Sequence, residues 1–146
     1  MGYTPYPFTT LVPDDVDLTL DEVHAALLRS PALPDGHVVR IDRNQIEVRG
    51  AERPDDPWRY HLGWEDAPWV PVESAEMADS YARDRADRQR VAGCPARIVC
   101  HGDPDPDMVF FNTYLLVRRV LEALPDVYLL DELDEKLWRS GEEHGT

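Results

Sequence analysis

Three aspartates at alternate positions, Asp103, Asp105 and Asp107, are separated by prolines immediately before an apolar segment. Carboxylates at this spacing occur in calcium-binding loops and in segments that accept backbone amides at the start of a helix. The segment does not match an EF-hand loop, because Met108 occupies the position of the required glycine and Tyr114 that of the required glutamate. Three interpretations stay open: helix capping with solvation, contact with a partner protein, and a calcium or magnesium ion held in another way.

The capping interpretation accounts for only part of this acidic segment. Asp105 or Asp107 can accept backbone N–H groups, and a carboxylate is stabilised at the positive end of a helix. That uses one or two of the three carboxylates. The remaining one needs solvent or a partner.

A second acidic cluster lies between two tryptophans, in the sequence Trp64-Glu65-Asp66-Ala67-Pro68-Trp69. Tryptophan is enriched at the energetic centres of protein interfaces, although a core position for both rings is the alternative. Trp69 is the one expected to be exposed, because Trp64 lies on the apolar side of an alternating strand. The sequence therefore predicts a partner-binding set of six residues: Glu65, Asp66, Trp69, Asp103, Asp105 and Asp107.

The cysteines and histidines form no metal-binding or catalytic motif. Five residues separate Cys94 from Cys100, whereas structural zinc sites need four ligands, commonly in close pairs. Cys100 and His101 are neighbours on a predicted strand and would point to opposite faces, so buried thiols are the better interpretation. Glycine-rich phosphate loops, nucleophile elbows and His-Glu-x-x-His motifs are missing. We predict no catalytic residue, no metal ligand and no cofactor.

The excess of acidic over basic side chains limits the classes of partner that the protein could bind. With 29 acidic and 15 basic side chains, the formal net charge is −14. Nucleic acid and anionic membrane surfaces both need clustered cations, so neither is expected as a partner. A basic protein is the natural complement, and simple solubility is the alternative reason for the charge. Self-association stays open.

The chain has neither a signal-peptide pattern nor a run of about 20 apolar residues. We therefore expect a cytoplasmic protein with reduced thiols. Its length predicts one domain at residues 18–138, with an extended proline-rich arm at 1–17 and a frayed tail at 139–146.

Local patterns supply the elements that must position these side chains. Thr19 and Glu22 form a capping box that starts a helix ending near Arg29. A hairpin is predicted at 37–49, strands at 58–64, 69–72, 96–100 and 127–130, and helices at 75–92 and from the acidic segment to 124. This order predicts an α+β fold, mainly antiparallel, with helices packed on one face. A ferredoxin-like sandwich with extra strands fits it best.

Two functional hypotheses follow from these patterns. The first is a non-enzymatic acidic binding protein, an inhibitor or accessory factor for a more basic protein. Its size and charge, though no motif, are similar to those of bacterial immunity proteins. The alternative is a protein, enzyme or not, that depends on a small molecule or a divalent metal ion and uses the carboxylates of Asp103, Asp105 and Asp107.

Overall fold

The computed structural model describes residues 4–53 and 55–142. The strands of these residues form one antiparallel sheet. Its seven strands are β1 (Phe8–Val12), β2 (Val38–Asp42), β3 (Gln45–Arg49), β4 (Arg59–Glu65), β5 (Ala96–Gly102), β6 (Tyr128–Asp131) and β7 (Lys136–Arg139). Their order across the sheet is β2-β3-β4-β5-β1-β6-β7. The helices are α1 (Leu20–Arg29), α2 (Val70–Tyr81), α3 (Arg88–Ala92) and α4 (Phe111–Glu122). The predicted α+β class with a mainly antiparallel sheet is confirmed.

Several segments form the structures that their local sequence patterns predict. The Thr19 hydroxyl accepts the Glu22 N–H at 3.3 Å, and the Glu22 carboxylate accepts the Thr19 N–H at 3.1 Å, which completes the capping box. β2 and β3 pair as the predicted hairpin. Along β4, Tyr60 and Leu62 point into the core, in agreement with the alternation read from the sequence.

The helices lie on both faces of the sheet, which differs from the one-face arrangement predicted. α1 and α4 cover the larger core, whereas Ala78 of α2 and Val91 of α3 pack on Leu11 and Tyr128 on the opposite face. The reason is the composition of the central strands. Every residue of β1 and β6 is buried, so both faces of these strands must be covered.

Part of the arm predicted at residues 1–17 lies inside the sheet, whereas residues 1–3 lie outside the described residues. Residues 8–12 form β1, which pairs with β5 on one side and with β6 on the other. At the other terminus, Arg139 lies in β7 and Ser140 donates its backbone N–H to the Val127 carbonyl at 2.8 Å. Residues 143–146 of the predicted tail lie outside the described residues.

Residues 69–72, predicted as a strand, instead lead into α2. Proline is well tolerated in the first helical turn, where its missing N–H would have no intrahelical partner, and Pro71 occupies that position. The helix predicted over 75–92 is split into α2 and α3. None of the helices in the described part of the chain is long and apolar enough to span a lipid bilayer.

Candidate functional site on the uncovered half of the sheet

Within the described part of the chain, no helix covers one polar strip of the sheet. On the face that carries α2 and α3, those helices pack over β1 and β6 and reach β5, while side chains of β3 and β4 remain exposed or partly exposed. The strand registers place the residues of that face side by side across β3, β4 and β5. We call the following residues the open strip: Glu47, Arg59, His61, Gly63, Glu65, Val99 and His101. A shallow depression of about 170 Å³ lies along it.

Two histidines stand opposite each other at the middle of the open strip. His61 on β4 pairs in register with His101 on β5, and their rings stack with centroids 5.0 Å apart. The Nε2 atom of His61 lies 2.8 Å from a carboxylate oxygen of Asp103. Because an ionised carboxylate only accepts, we place a proton on Nε2. The Nδ1 atom of His61 faces Glu47 at 3.9 Å.

Asp103 is held firmly at one end of the open strip. One carboxylate oxygen accepts from His61, and the other accepts the Arg59 N–H at 3.1 Å. The Asp103 backbone carbonyl accepts the indole N–H of Trp58 at 2.8 Å. The Asp103 side chain is nevertheless 39% exposed, so this fixed carboxylate remains available to a partner.

The histidine pair has an electrostatic consequence at His101. Partial burial lowers the pKa of His101, the neighbouring His61 lowers it further, and Asp103 opposes both effects. Burial disfavours the protonated ring because it removes water from a charged group, and a second imidazole adds repulsion when both are charged. At neutral pH, therefore, His101 presents a neutral ring.

A buried arginine holds the opposite end of the open strip. Arg97 is 7% exposed, and its guanidinium contacts Glu65 at 2.7 Å and Glu73 at 2.6 Å. The Trp69 ring lies over this guanidinium, with 5.3 Å between the guanidinium carbon and the ring centroid. Trp69 itself is 48% exposed. The ion pairs and the cation–π contact fix the indole while one side of it faces solvent.

The structure divides the six predicted partner-binding residues into three groups. Glu65, Asp66 and Trp69 lie at the Arg97 end of the open strip. Asp103 lies at the other end, about 20 Å away by the rise of a strand over the length of β4. Asp107 belongs to this second group and is exposed on the loop beyond Asp103.

The third group is Asp105, which faces inward. Asp105 is only 4% exposed. Its carboxylate accepts from the Tyr6 hydroxyl at 2.6 Å and from the backbone N–H groups of Val109 and Phe110, each at 2.9 Å. It fixes the loop that leads into α4 but does not cap the helix, whose N-cap residue Phe110 has no side-chain cap. Its burial removes it from any surface that a partner could contact.

Neither histidine of the open strip was identified as a site residue from the sequence. His101 follows His61 by 40 positions, and nothing local indicates that β4 pairs with β5. One signal was available: the alternation of β4 points His61 away from the core, and the inward Cys100 points its neighbour His101 to the same outer face. Only the strand register places the two rings together.

The thiols and the carboxylates form no metal site in the described residues. Cys94 and Cys100 are free and buried, as expected, and burial raises the pKa of Cys94 to about 12 and that of Cys100 well above its usual range. Across residues 4–53 and 55–142, no group of three histidine, cysteine or acidic side chains is arranged to hold a metal ion.

The open strip and its two ends therefore offer a preformed surface of carboxylates, a stacked imidazole pair and an exposed indole. An imidazole held by a carboxylate is also the arrangement found in general bases, with Nδ1 of His61 as the ring nitrogen left for that role. Neither a protein-family model, nor a curated protein, nor a solved structure matches this chain.

Proposed function

We propose that this protein is a non-enzymatic acidic binding protein, an inhibitor or accessory factor that contacts a more basic protein through the open strip and its two ends. One observation carries the proposal. Glu65, Trp69 and Asp103, which the sequence selects for their chemistry, lie in one band that consists of the open strip and its two ends. Sheet faces without a covering layer are natural places for a second protein to pack.

The charge of this band supports a basic partner. Two arginines of the band, Arg59 and Arg97, are already in ion pairs with its glutamates. Six carboxylates border the band, so an excess of negative charge remains for cations of a partner: Glu47, Glu65, Asp66, Glu73, Asp103 and Asp107. Surface carboxylates of this kind raise the rate of encounter with a cationic protein, and salt screens the effect.

Trp69 supplies the apolar centre that an acidic surface needs for affinity. Indoles are among the side chains that contribute most to binding when a partner buries them. Arg97 and its two glutamates hold the Trp69 ring in place before any partner arrives, which reduces the entropy lost on binding.

The alternative hypothesis of a divalent ion at the acidic segment lacks this support. Both carboxylate oxygens of Asp105 already accept hydrogen bonds in the interior, and those of Asp103 accept from His61 and Arg59. A cation would have to compete with these bonds at two of the three positions.

The test is affinity capture from a lysate of the source cells, at low and at high salt, followed by mass spectrometry. The triple variant Glu65→Gln, Trp69→Ala, Asp103→Asn removes charge and indole from the band. A control variant, Glu76→Gln with Asp84→Asn, removes two exposed carboxylates elsewhere. Circular dichroism and thermal unfolding first establish that each variant folds.

The expected result is a basic protein that is captured in stoichiometric amount by the wild type and by the control variant. It is released at high salt and is lost with the triple variant. A partner that the triple variant captures as well as the wild type does would refute the assignment of this surface. A partner that is itself acidic, or that survives high salt unchanged, would refute the electrostatic basis of the proposal.

A further inference from the structure

A second surface, on the opposite face of the sheet from the open strip, has the form of a docking groove. It runs between the C-terminal parts of α1 and α4 and has a volume of about 490 Å³. Its lining is largely apolar and includes six apolar side chains: Ala26, Ala32, Leu116, Val120, Ala123 and Leu124. We call this feature the α1–α4 groove.

Two arginines that border the α1–α4 groove have no partner among the described residues. Arg29 and Arg119 line it, both are exposed, and neither forms an ion pair or a side-chain hydrogen bond within residues 4–53 and 55–142. Most other arginines are engaged, and eight form ion pairs with carboxylates: Arg40, Arg59, Arg85, Arg88, Arg90, Arg97, Arg118 and Arg139. In a chain with about twice as many acids as bases, both of these guanidinium groups border one apolar groove.

The groove continues into an acidic depression of about 340 Å³. The two share Ala26, Arg29, Leu124 and Pro125. Four carboxylates line the depression, and two of these already pair with arginines: Asp15, Asp17, Glu22 and Asp126. The whole feature is therefore apolar in the middle, basic at Arg29 and Arg119, and acidic towards Asp17.

We propose that the α1–α4 groove binds an amphipathic helix of another protein, with carboxylates that meet Arg29 and Arg119 and a cation that meets the acidic depression. A helix laid in a groove buries one apolar stripe and keeps its polar face in water, which suits a groove open to solvent. A fatty acid fits less well, because the open groove leaves its chain exposed to water. This surface is separate from the open strip and does not depend on the function proposed for it.

Arginine in the last turn of a helix also interacts favourably with the helix dipole, and Arg29 and Arg119 both occupy such positions. The dipole explains an arginine on each helix. It does not account for the uncovered apolar surface between them. The two explanations differ in what the arginines affect: the dipole changes stability alone, whereas docking changes affinity for a ligand.

The probe is a synthetic peptide of about 16 residues, since shorter isolated helices are marginal in water. It carries leucines on one face, glutamates on the flanks of one half and lysines on the flanks of the other. A control peptide keeps the leucines and has lysine in place of every glutamate. Binding is measured by fluorescence polarisation and mapped by backbone amide chemical shifts on the full chain.

Three protein variants accompany the wild type. Arg29→Gln with Arg119→Gln removes the charge, and Ala123→Arg fills the groove. The matched control is Arg53→Gln with Arg83→Gln, which removes two exposed arginines elsewhere. We expect amide shifts at residues 26–32 and 116–125, and binding about tenfold weaker without Arg29 and Arg119, as for the loss of two partly exposed charge pairs. Ala123→Arg should abolish binding, and the matched control should bind normally.

Shifts confined to the open strip, equal affinity for the two peptides, or normal binding to Ala123→Arg would each overturn the proposal. Two further measurements identify the competing occupants. Laurate that binds the groove while the peptide does not would overturn the helix in favour of a lipid chain. A dimer in sedimentation velocity that Ala123→Arg dissociates would overturn it in favour of a second copy of this chain.

Discussion

Asp105 should be the aspartate of the acidic segment on which stability depends most. Its carboxylate accepts three hydrogen bonds, and two of their donors, the Tyr6 hydroxyl and the Phe110 N–H, are buried. Substitution by alanine removes the acceptor that Asp105 provides to these two donors. Each buried unsatisfied donor costs about 1–3 kcal/mol, and water entering the space of the lost carboxyl recovers part of that. We therefore expect Asp105→Ala to lower the free energy of unfolding by about 3 kcal/mol.

The matched control is the exposed neighbour Asp107, which has the same charge in the same loop. Asp107→Ala should change stability by less than about 0.5 kcal/mol, as is usual for exposed positions without special contacts. Both variants are compared by urea denaturation at pH 7, with equal m values as evidence that the unfolding transition is unchanged.

A double-mutant cycle with Tyr6→Phe isolates the bond between the Tyr6 hydroxyl and Asp105. The two substitutions together should cost less than the sum of the separate costs, because either one alone already breaks this bond. If Asp105→Ala proved no more destabilising than Asp107→Ala, or if the two substitutions in the cycle were simply additive, the interior role of Asp105 would be refuted.

Three further predictions concern other parts of the molecule. Folding lowers the pKa of His101, so the unfolded chain binds more protons than the folded chain, and stability should fall as the pH drops below about 6.5. His101→Gln should flatten this pH dependence when unfolding is measured from about pH 7 to pH 5. Arg118→Met leaves the buried Asp131 carboxylate without its 2.8 Å ion pair and should cost about 3 kcal/mol in urea unfolding at pH 7. Gly102→Ala would place a methyl group 2.6 Å from the packed Trp58 ring, so its thermal midpoint should fall by the equivalent of about 1–3 kcal/mol, whereas an unchanged midpoint would contradict the packing described.

Sequence patterns predicted the parts of the fold whose signals are local. The capping box at Thr19, the hairpin of β2 and β3 and the alternation of β4 each depend on residues a few positions apart. β1 was missed as a strand because its five residues, flanked by prolines, resemble an extended arm. Whether such a segment lies in the middle of a sheet or outside it depends on β5 and β6, which are far away in the sequence.

The candidate site shows the same limit. Residue chemistry alone selected Glu65, which lies on the open strip, and Trp69 and Asp103, which lie at its two ends. The same chemistry also selected Asp105, because a carboxylate that binds a partner and one that fixes a loop are indistinguishable without knowledge of burial. The spacing of the three aspartates gives no indication that the middle one turns towards Tyr6, which lies almost a hundred residues earlier.

The central place of β1 has a consequence for how the chain is made. Phe8–Val12 leaves the ribosome long before its partners β5 and β6, which come much later in the chain. At ordinary rates of synthesis, β1 waits on the order of ten seconds for β6. During that time a strand destined for burial on both faces is open to pairing with other nascent chains. Pro7 and Pro13, directly on either side of β1, cannot donate to a strand ladder, and so they restrict this pairing until the proper neighbours emerge.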